Sequence, residues 1–420
     1  MRRIKFSKTT LHASLFSLFS FFNQGVSFLL LIILANYIMP DEYGELSLFN
    51  TIVTFLGYFI AMSTTGYESV SYFRKTYDEF RSDFTSIHLI SSLVFVFLLV
   101  ILLVFGSQLS KLLSLPLNFL YIALVISYLS VYMTMVLSYF RVKQEVIKYG
   151  IVSCGNAILN FGLTLFFIIS LSYSWQGRVY SHLYTNLLIA LVALVIYKKY
   201  NLIYTKDITK SRIKEILFWG IPLIPHMGAI WIRQGLDRYI IDNFHSTSEV
   251  GLFSFALNLV NIIIIIGSSF NNVLSVEIYQ TLSADLPSMN KKQILYNKSK
   301  KIAMIFAGAT LLVVAGCSLF IPLLLPAYEN AIPYFCVLSM YGFVQCLYFL
   351  VVNYLFYYKR NKEIMYTTFG TSILHLLLSL IFTRYSLFYT CLIYVIIQIL
   401  LVSIIFIRSK KILDLELKKI

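Results

Sequence analysis

The spacing of the charged residues sets the first limit on what this chain can fold into. Between one Lys, Arg, Asp or Glu and the next it leaves twelve long uncharged windows: 9 to 40, 46 to 67, 84 to 110, 112 to 140, 149 to 177, 179 to 197, 216 to 232, 250 to 276, 302 to 328, 330 to 358, 364 to 383 and 385 to 407. A helix needs roughly 20 residues to cross about 30 Å of hydrocarbon, so each window is a candidate span. Eleven have at least 19 residues, and the seventh, with 17, is the exception. Only 13% of the residues are charged and 59% are apolar. Soluble domains carry roughly 25% charge, so a water-soluble fold is excluded. In lipid a helix satisfies its own backbone hydrogen bonds, which makes helices the expected spanning form. The predicted fold class is an all-α integral membrane protein with about twelve transmembrane helices.

The net charge of +15 raises the question of nucleic acid, which the distribution of the basic residues answers. The N-terminal tail, every second loop and the C-terminal tail hold 29 of the 34 Lys and Arg. The opposite loops hold Lys111, Arg178 and Arg384, and the seventh window adds Arg233 and Arg238 at its end. Alternation of this kind is the positive-inside pattern, which predicts both termini in the cytoplasm and an even number of spans. The basic excess is therefore a topology signal that also suits anionic lipid, and nucleic acid is not an expected partner. The start, MRRIKFSK and an apolar run, is longer than a signal-peptide core and is expected to be a retained first span.

A repeat divides the windows in two. With an offset of 207 residues, NYIMPDEYGELS from Asn36 to Ser47 matches NFHSTSEVGLFS from Asn243 to Ser254, pairing Asn36 with Asn243, Glu42 with Glu249, Gly44 with Gly251 and Ser47 with Ser254. Each segment separates the first two spans of its half. Six spans per half keep the orientation, so the copies form a parallel repeat, an arrangement that places a cavity between two bundles. The expected organisation is an N-terminal six-helix lobe over 1–200, a cytoplasmic linker over 201–214 and a C-terminal six-helix lobe over 215–420.

The seventh window is the unusual one. The offset aligns Arg233, Asp237 and Arg238 with Val26, Leu30 and Leu31 of the first span, which puts three charges at membrane depth. An ionised side chain there costs at least about 2.5 to 3.5 kcal/mol unless it meets water or a partner, so a functional site is the first expectation. On a helix, His226, Arg233 and Asp237 share one face, Arg238 lies about 140° from Arg233, and Arg233 and Asp237 are placed to pair at i, i+4. Guanidinium groups in a low-dielectric lumen suit a phosphate or pyrophosphate through their planar fork of donors. The opposing expectation is a helix that ends near Ile232, with both arginines snorkelling to the interface. Pro222 and Pro225 are expected to bend or break the cytoplasmic half of the span.

Polar residues inside the windows, among them His182, Gln345, His375 and Gln398, are expected mainly to hydrogen-bond between helices. Asn23, Gln24, Asn258 and Asn261, in the first two spans of their halves, are the better candidates for ligand contact. Glu68 and Glu277 close comparable spans at the cytoplasmic edge. They are candidates for ion coupling, against the plainer expectation that Glu68 pairs with Arg74 at the interface. No H-E-x-x-H, G-x-S-x-G or phosphate-cradling glycine loop occurs, and the five cysteines lack C-x-x-C spacing. Neither a catalytic residue, a cofactor nor a metal is expected, and the chain is not expected to be an enzyme.

The start of the second half resembles the polysaccharide-transporter branch of the multidrug/oligosaccharidyl-lipid/polysaccharide exporter (MOP) superfamily. In that branch a G-x-P-x-x-P helix leads to D-R-Y/F and then E-x-G-x-Y/F-S, matched here by Gly220, Pro222, Pro225, Asp237, Arg238, Tyr239, Glu249, Gly251, Phe253 and Ser254. The resemblance implies a Wzx-type O-antigen flippase with a MATE-like fold in the bacterial inner membrane. Such proteins move undecaprenyl-pyrophosphate-linked repeat units to the periplasmic leaflet by alternating access, energised by an ion gradient. The implied partners are that lipid-linked oligosaccharide, membrane lipids, and the polysaccharide polymerase and chain-length machinery. Arg233 and Arg238 would attract the pyrophosphate and Asp237 would orient them. The rival expectations are a small-molecule antiporter of the MATE branch, for which an acidic cavity would be preferred, and a membrane sugar polymerase or acyltransferase, which requires a reactive group not seen here.

Overall fold

The computed structural model describes residues 8–285 and 287–417, and every regular element among them is helical. The first half comprises α1 (Lys8–Tyr37), α2 (Pro40–Ile60), α3 (Tyr67–Arg74), α4 (Tyr77–Leu112), α5 (Leu117–Val142), α6 (Val146–Leu165) and α7 (Trp175–Lys199). The second comprises α8 (Lys210–Gly220), α9 (Ile224–Gln234), α10 (Leu236–Phe244), α11 (Thr247–Ser283), α12 (Ser288–Leu324), α13 (Ile332–Tyr357), α14 (Asn361–Phe382) and α15 (Leu387–Leu417). Among the described residues eleven helical segments are long and apolar enough to cross a membrane, and a twelfth is added when α2 and Thr64–Arg74, bent by 56°, count as one span. On α4 the side chains of Leu93, Phe97, Val100, Leu103 and Val104 are all more than half exposed, an apolar face that lipid covers and water would not tolerate.

Two compact units divide the chain. The first takes the chain up to Ile38 together with Glu45–Trp231, and the second takes Met39–Gly44 together with the chain from Ile232 on. The linker 201–214 lies within the first unit, and the units part inside the seventh span because α8 packs on α3 and α4.

In the first unit, α5 packs on α4 and α7, and α1 on α6, around rings such as Phe49, Phe119 and Trp175. The break between α2 and α3 puts Met62 and Ser63 at φ 46° and 53°, a left-handed conformation uncommon outside glycine. The start of the seventh span supports it. A Cβ on Gly220 would strike the Met62 carbonyl, and one on Gly66 would lie 2.8 Å from the Trp219 ring. Glycine at 220 lets the two backbones touch, and glycine at 66 makes room for the Trp219 ring.

In the second unit α13 is central, packed on α11, α12 and α15. Here the repeat has a direct structural expression. The helix starts Pro40 and Thr247 differ by the same 207 residues as the repeat, and the two helix N-termini cross at the paired glycines. A Cβ on Gly44 would strike the Thr247 carbonyl, and one on Gly251 the Pro40 carbonyl. The reciprocal contact explains why Gly recurs in both copies.

Candidate functional site

The site is built by interrupting the seventh span. Thr209 caps α8, its hydroxyl accepting from the Arg212 amide at 3.3 Å. Pro222 then lacks an amide proton and sits in a 3-10 turn, Ile221–Leu223, before α9 begins. α9 ends at Gln234, and α10 starts afresh beyond the buried Gly235. The last carbonyls of α9 need donors from outside the helix. Tyr394 of α15 supplies one, its hydroxyl donating to the Arg233 carbonyl at 2.7 Å.

Around this second break the charged side chains separate into two kinds. Asp237, in the first turn of α10, meets His375 of α14 at 2.6 Å, with both side chains 1% exposed. The Tyr394 ring stands edge-on to His375 at 4.8 Å. Arg238 points elsewhere: its Nε donates to the Ser254 hydroxyl of α11 at 2.9 Å, and a terminal nitrogen donates to the Gln234 carbonyl. Arg233 is half-buried on the last turn of α9, near Tyr348 of α13, and its Nη1 is buried without a hydrogen-bond partner. Among the described residues, neither Arg233 nor Arg238 makes an ion pair with a carboxylate. Two guanidinium charges with neutral contacts therefore flank the break, and a buried one that lacks its hydrogen bonds is costly unless an anion satisfies it.

One expectation is corrected here. Asp237 does not orient the arginines at i, i+4, because the break at Gly235 takes it off the register of α9 and a His from 138 residues away binds it instead. It is too buried to meet a ligand. Of the residues that complete this arrangement, His375 was legible only as a polar residue within an uncharged window, and Tyr394 was not singled out by the sequence at all.

The other predicted residues scatter. Asn23 donates to Ser153 at 2.6 Å, joining α1 to α6, and Gln24 donates to Ser20 within α1 at 3.1 Å. Asn258 donates to the Tyr43 hydroxyl at 2.7 Å, and Asn261 is exposed on α11. The backbone of His226 lies in α9, and its side chain lies outside the described residues. Glu68 does not pair with Arg74 at an interface. It is fully buried, with Ser138 and Arg141 as its polar surroundings. Glu277 forms a half-exposed ion pair with Lys298 at 2.6 Å.

A second charged cluster fastens the other end of the seventh span within the first unit. Fully buried Asp83 binds Arg212 at 2.6 Å, Lys75 at 3.1 Å and the Ser71 hydroxyl at 2.5 Å. Glu215 joins it through Lys75 at 3.0 Å and the Tyr67 hydroxyl at 2.5 Å. Lys75 lies in the loop between α3 and α4. Burial alone would lower its pKa, but its bonds to Tyr67, Glu215 and Asp83 outweigh this and hold the ammonium above the ordinary lysine range.

Helix order and the broken spans match a known class: the chain has the fold of the MOP-superfamily transporters. It aligns with an inward-facing multidrug-resistance MATE family transporter of that superfamily at a TM-score of 0.74 and 14% identity, covering 94% of this chain and 96% of that one. It aligns with the lipid II flippase MurJ, in an inward closed conformation, at a TM-score of 0.75 and 14% identity, covering 94% and 87%. The family profile described as polysaccharide biosynthesis protein matches residues 12–276, more than half of the chain. The chain belongs to that polysaccharide biosynthesis family. A curated relative, an uncharacterized membrane protein of Haemophilus influenzae, is 25% identical over 372 residues, covering 85% of this chain and 87% of the relative.

Proposed function

We propose that the chain flips a polyprenyl-pyrophosphate-linked sugar repeat unit, of the O-antigen or a related polysaccharide, from the cytoplasmic to the periplasmic leaflet of the bacterial inner membrane. The observation that carries this reading is the two guanidinium groups either side of the break in the seventh span, Arg238 held by neutral partners and Arg233 with its Nη1 buried and unsatisfied. A pyrophosphate is the complement of such a pair, since its oxygens accept several charge-assisted hydrogen bonds at once. Membership of a polysaccharide biosynthesis family supports a sugar cargo, and the fold shared with a lipid II flippase supports a lipid-linked one. The same fold serves a multidrug transporter, but an organic cation would be repelled by Arg233 and Arg238. In this reading both termini are cytoplasmic, the protein acts by alternating access, and the polyprenyl tail stays in lipid.

The test is leaflet assignment of the lipid-linked repeat unit in cells deleted for the chain and complemented with variants. Deletion leaves the repeat unit on the cytoplasmic leaflet, and the wild type restores it to the outer one. Hydrogen bonds to charged groups contribute about 1.5 to 3 kcal/mol, so Arg233→Ala is expected to slow transfer roughly ten- to a hundredfold. Arg233→Lys, which keeps the charge but not the fork, retains part of the activity. Transfer by the alanine variant at the wild-type rate removes Arg233 from the mechanism.

A further inference from the structure

A glutamine pair in the second unit has more hydrogen-bonding capacity than the fold uses. Gln398 of α15 donates from Nε2 to Gln345 Oε1 of α13 at 2.7 Å, the interhelical bond expected of polar residues in a span. Gln398 is 1% exposed, and its own Oε1 is buried without a hydrogen-bond partner among the described residues. Joining two helices needs only the first of these atoms. A buried acceptor left over is costly unless something donates to it.

The pair stands at the level of Arg233. Tyr341 packs on Tyr394 at 5.3 Å, and Gln345 and Gln398 follow them by one turn at the same offset of 53 residues, so α13 and α15 run side by side here. Arg233 touches both helices around that turn: its carbonyl accepts from Tyr394, one turn before Gln398, and its charge lies near Tyr348, one turn after Gln345. Two buried, unpartnered atoms of opposite kind thus lie about one turn apart, roughly 5 Å: the donor Arg233 Nη1 and the acceptor Gln398 Oε1. They are not bonded to each other. A group that satisfies both has an acceptor for one and a donor for the other. A phosphate oxygen answers only the first. On a sugar pyrophosphate, the hydroxyl or acetamido group at the ring carbon next to the phosphate-bearing one answers the second. Turning the Gln398 amide over would leave an N–H bare instead, and either group also has an oxygen to accept from it.

We propose that Gln398, oriented by Gln345, reads the substituent beside the pyrophosphate on the first sugar of the cargo; this rests on the pyrophosphate reading above and assigns it a specificity residue. Gln345 is a positioning residue, acting through Gln398. A water molecule would also bridge the two atoms, but it would favour no sugar over another.

The experiment measures binding by the purified full-length chain in detergent, by calorimetry at one pH and salt. The probes are farnesyl pyrophosphate and its glucosyl, 2-deoxyglucosyl and N-acetylglucosaminyl esters. The wild type is expected to bind the glucosyl or the N-acetylglucosaminyl ester roughly three- to tenfold more tightly than the 2-deoxyglucosyl ester, the worth of one net hydrogen bond. The tighter of the two tells hydroxyl from acetamido. In Gln398→Met, close in volume but without the amide, the three esters are expected to bind alike while farnesyl pyrophosphate binds as before. Gln345→Met narrows the preference in part, and Arg233→Ala weakens all four probes together. A merely structural pair would lower stability without changing the ratio between esters. Equal binding of the three esters by the wild type overturns the proposal, even if a variant fails to fold, and so does a preference that survives in folded Gln398→Met. Both leave the pyrophosphate site standing. Failure of the folded wild type to bind farnesyl pyrophosphate removes that site, and the sugar reading with it.

Discussion

The two ends of the seventh span are fastened by different chemistry. In the first unit, α8 is held by a network that reaches solvent: Asp83 is fully buried, but the side chains of Lys75 and Glu215 are 20% and 54% exposed. In the second unit, α10 is held by Asp237 and His375, each 1% exposed. A network open to water is weakened by its screening and by salt, and it spreads its charge over several partners. A closed pair is unscreened, and its stability depends on the partners staying matched. The contrast divides the fastening of one interrupted helix between an outer network open to water and an inner pair closed to it.

The largest expected effect comes from mismatching the inner pair. Asp237→Leu removes a charged hydrogen bond, about 1.5 to 3 kcal/mol, and leaves the buried imidazole without its partner, about 1 to 3 kcal/mol more. Thermal unfolding of the purified variant is expected to show a large fall in midpoint, with much of it regained in the double variant Asp237→Leu, His375→Leu. A single variant as stable as the wild type would mean that the pair contributes no anchoring at all.

The outer network should respond at a smaller scale and, unlike the inner pair, should depend on salt. Arg212→Ala removes a 2.6 Å contact to Asp83 but leaves Lys75 and the Ser71 hydroxyl on the carboxylate, so a loss of about 2 kcal/mol is expected. Raising salt to about 0.5 M should narrow the gap between variant and wild type here and leave the Asp237→Leu gap unchanged. Equal salt responses at the two ends would erase the distinction. The pH dependence has a definite sign as well. The Lys75 pKa is raised, so its contribution is complete below the ordinary lysine value of 10.5 and is lost only as pH rises through the higher folded value.

Much of the architecture was legible because lipid imposes a coarse rule on charge. The window 112 to 140 became α5 (Leu117–Val142), and 149 to 177 became α6 with the turn that follows it. Windows bounded by clusters of basic residues gave helices that run on into those clusters: α12 begins at Ser288, well before the window at 302, because lysines are tolerated on the part of a helix that lies outside hydrocarbon. The break at 61 to 66 was invisible, since no charge marks it and the sequence Ser63, Thr64, Thr65, Gly66 is a weak stop signal. Arg233 and Arg238 stood out because ionised groups are rare in spans. The partner of Asp237 did not, because local spacing cannot reveal a contact made across 138 residues by α14.

The smallest expected effect sets the baseline for both ends. Glu277 and Lys298 meet at 2.6 Å with side chains 40% and 35% exposed, tying α11 to α12 outside either fastening. Exposed pairs of this kind contribute about 0 to 1 kcal/mol, so Glu277→Gln should barely move the unfolding midpoint. Its value lies in a second readout. Glu277 was a candidate for ion coupling on sequence grounds, and its half-exposed carboxylate is already paired with Lys298. Transfer of the repeat unit to the outer leaflet should therefore run at the wild-type rate in Glu277→Gln, and a variant that lost transfer while keeping its stability would restore that candidacy.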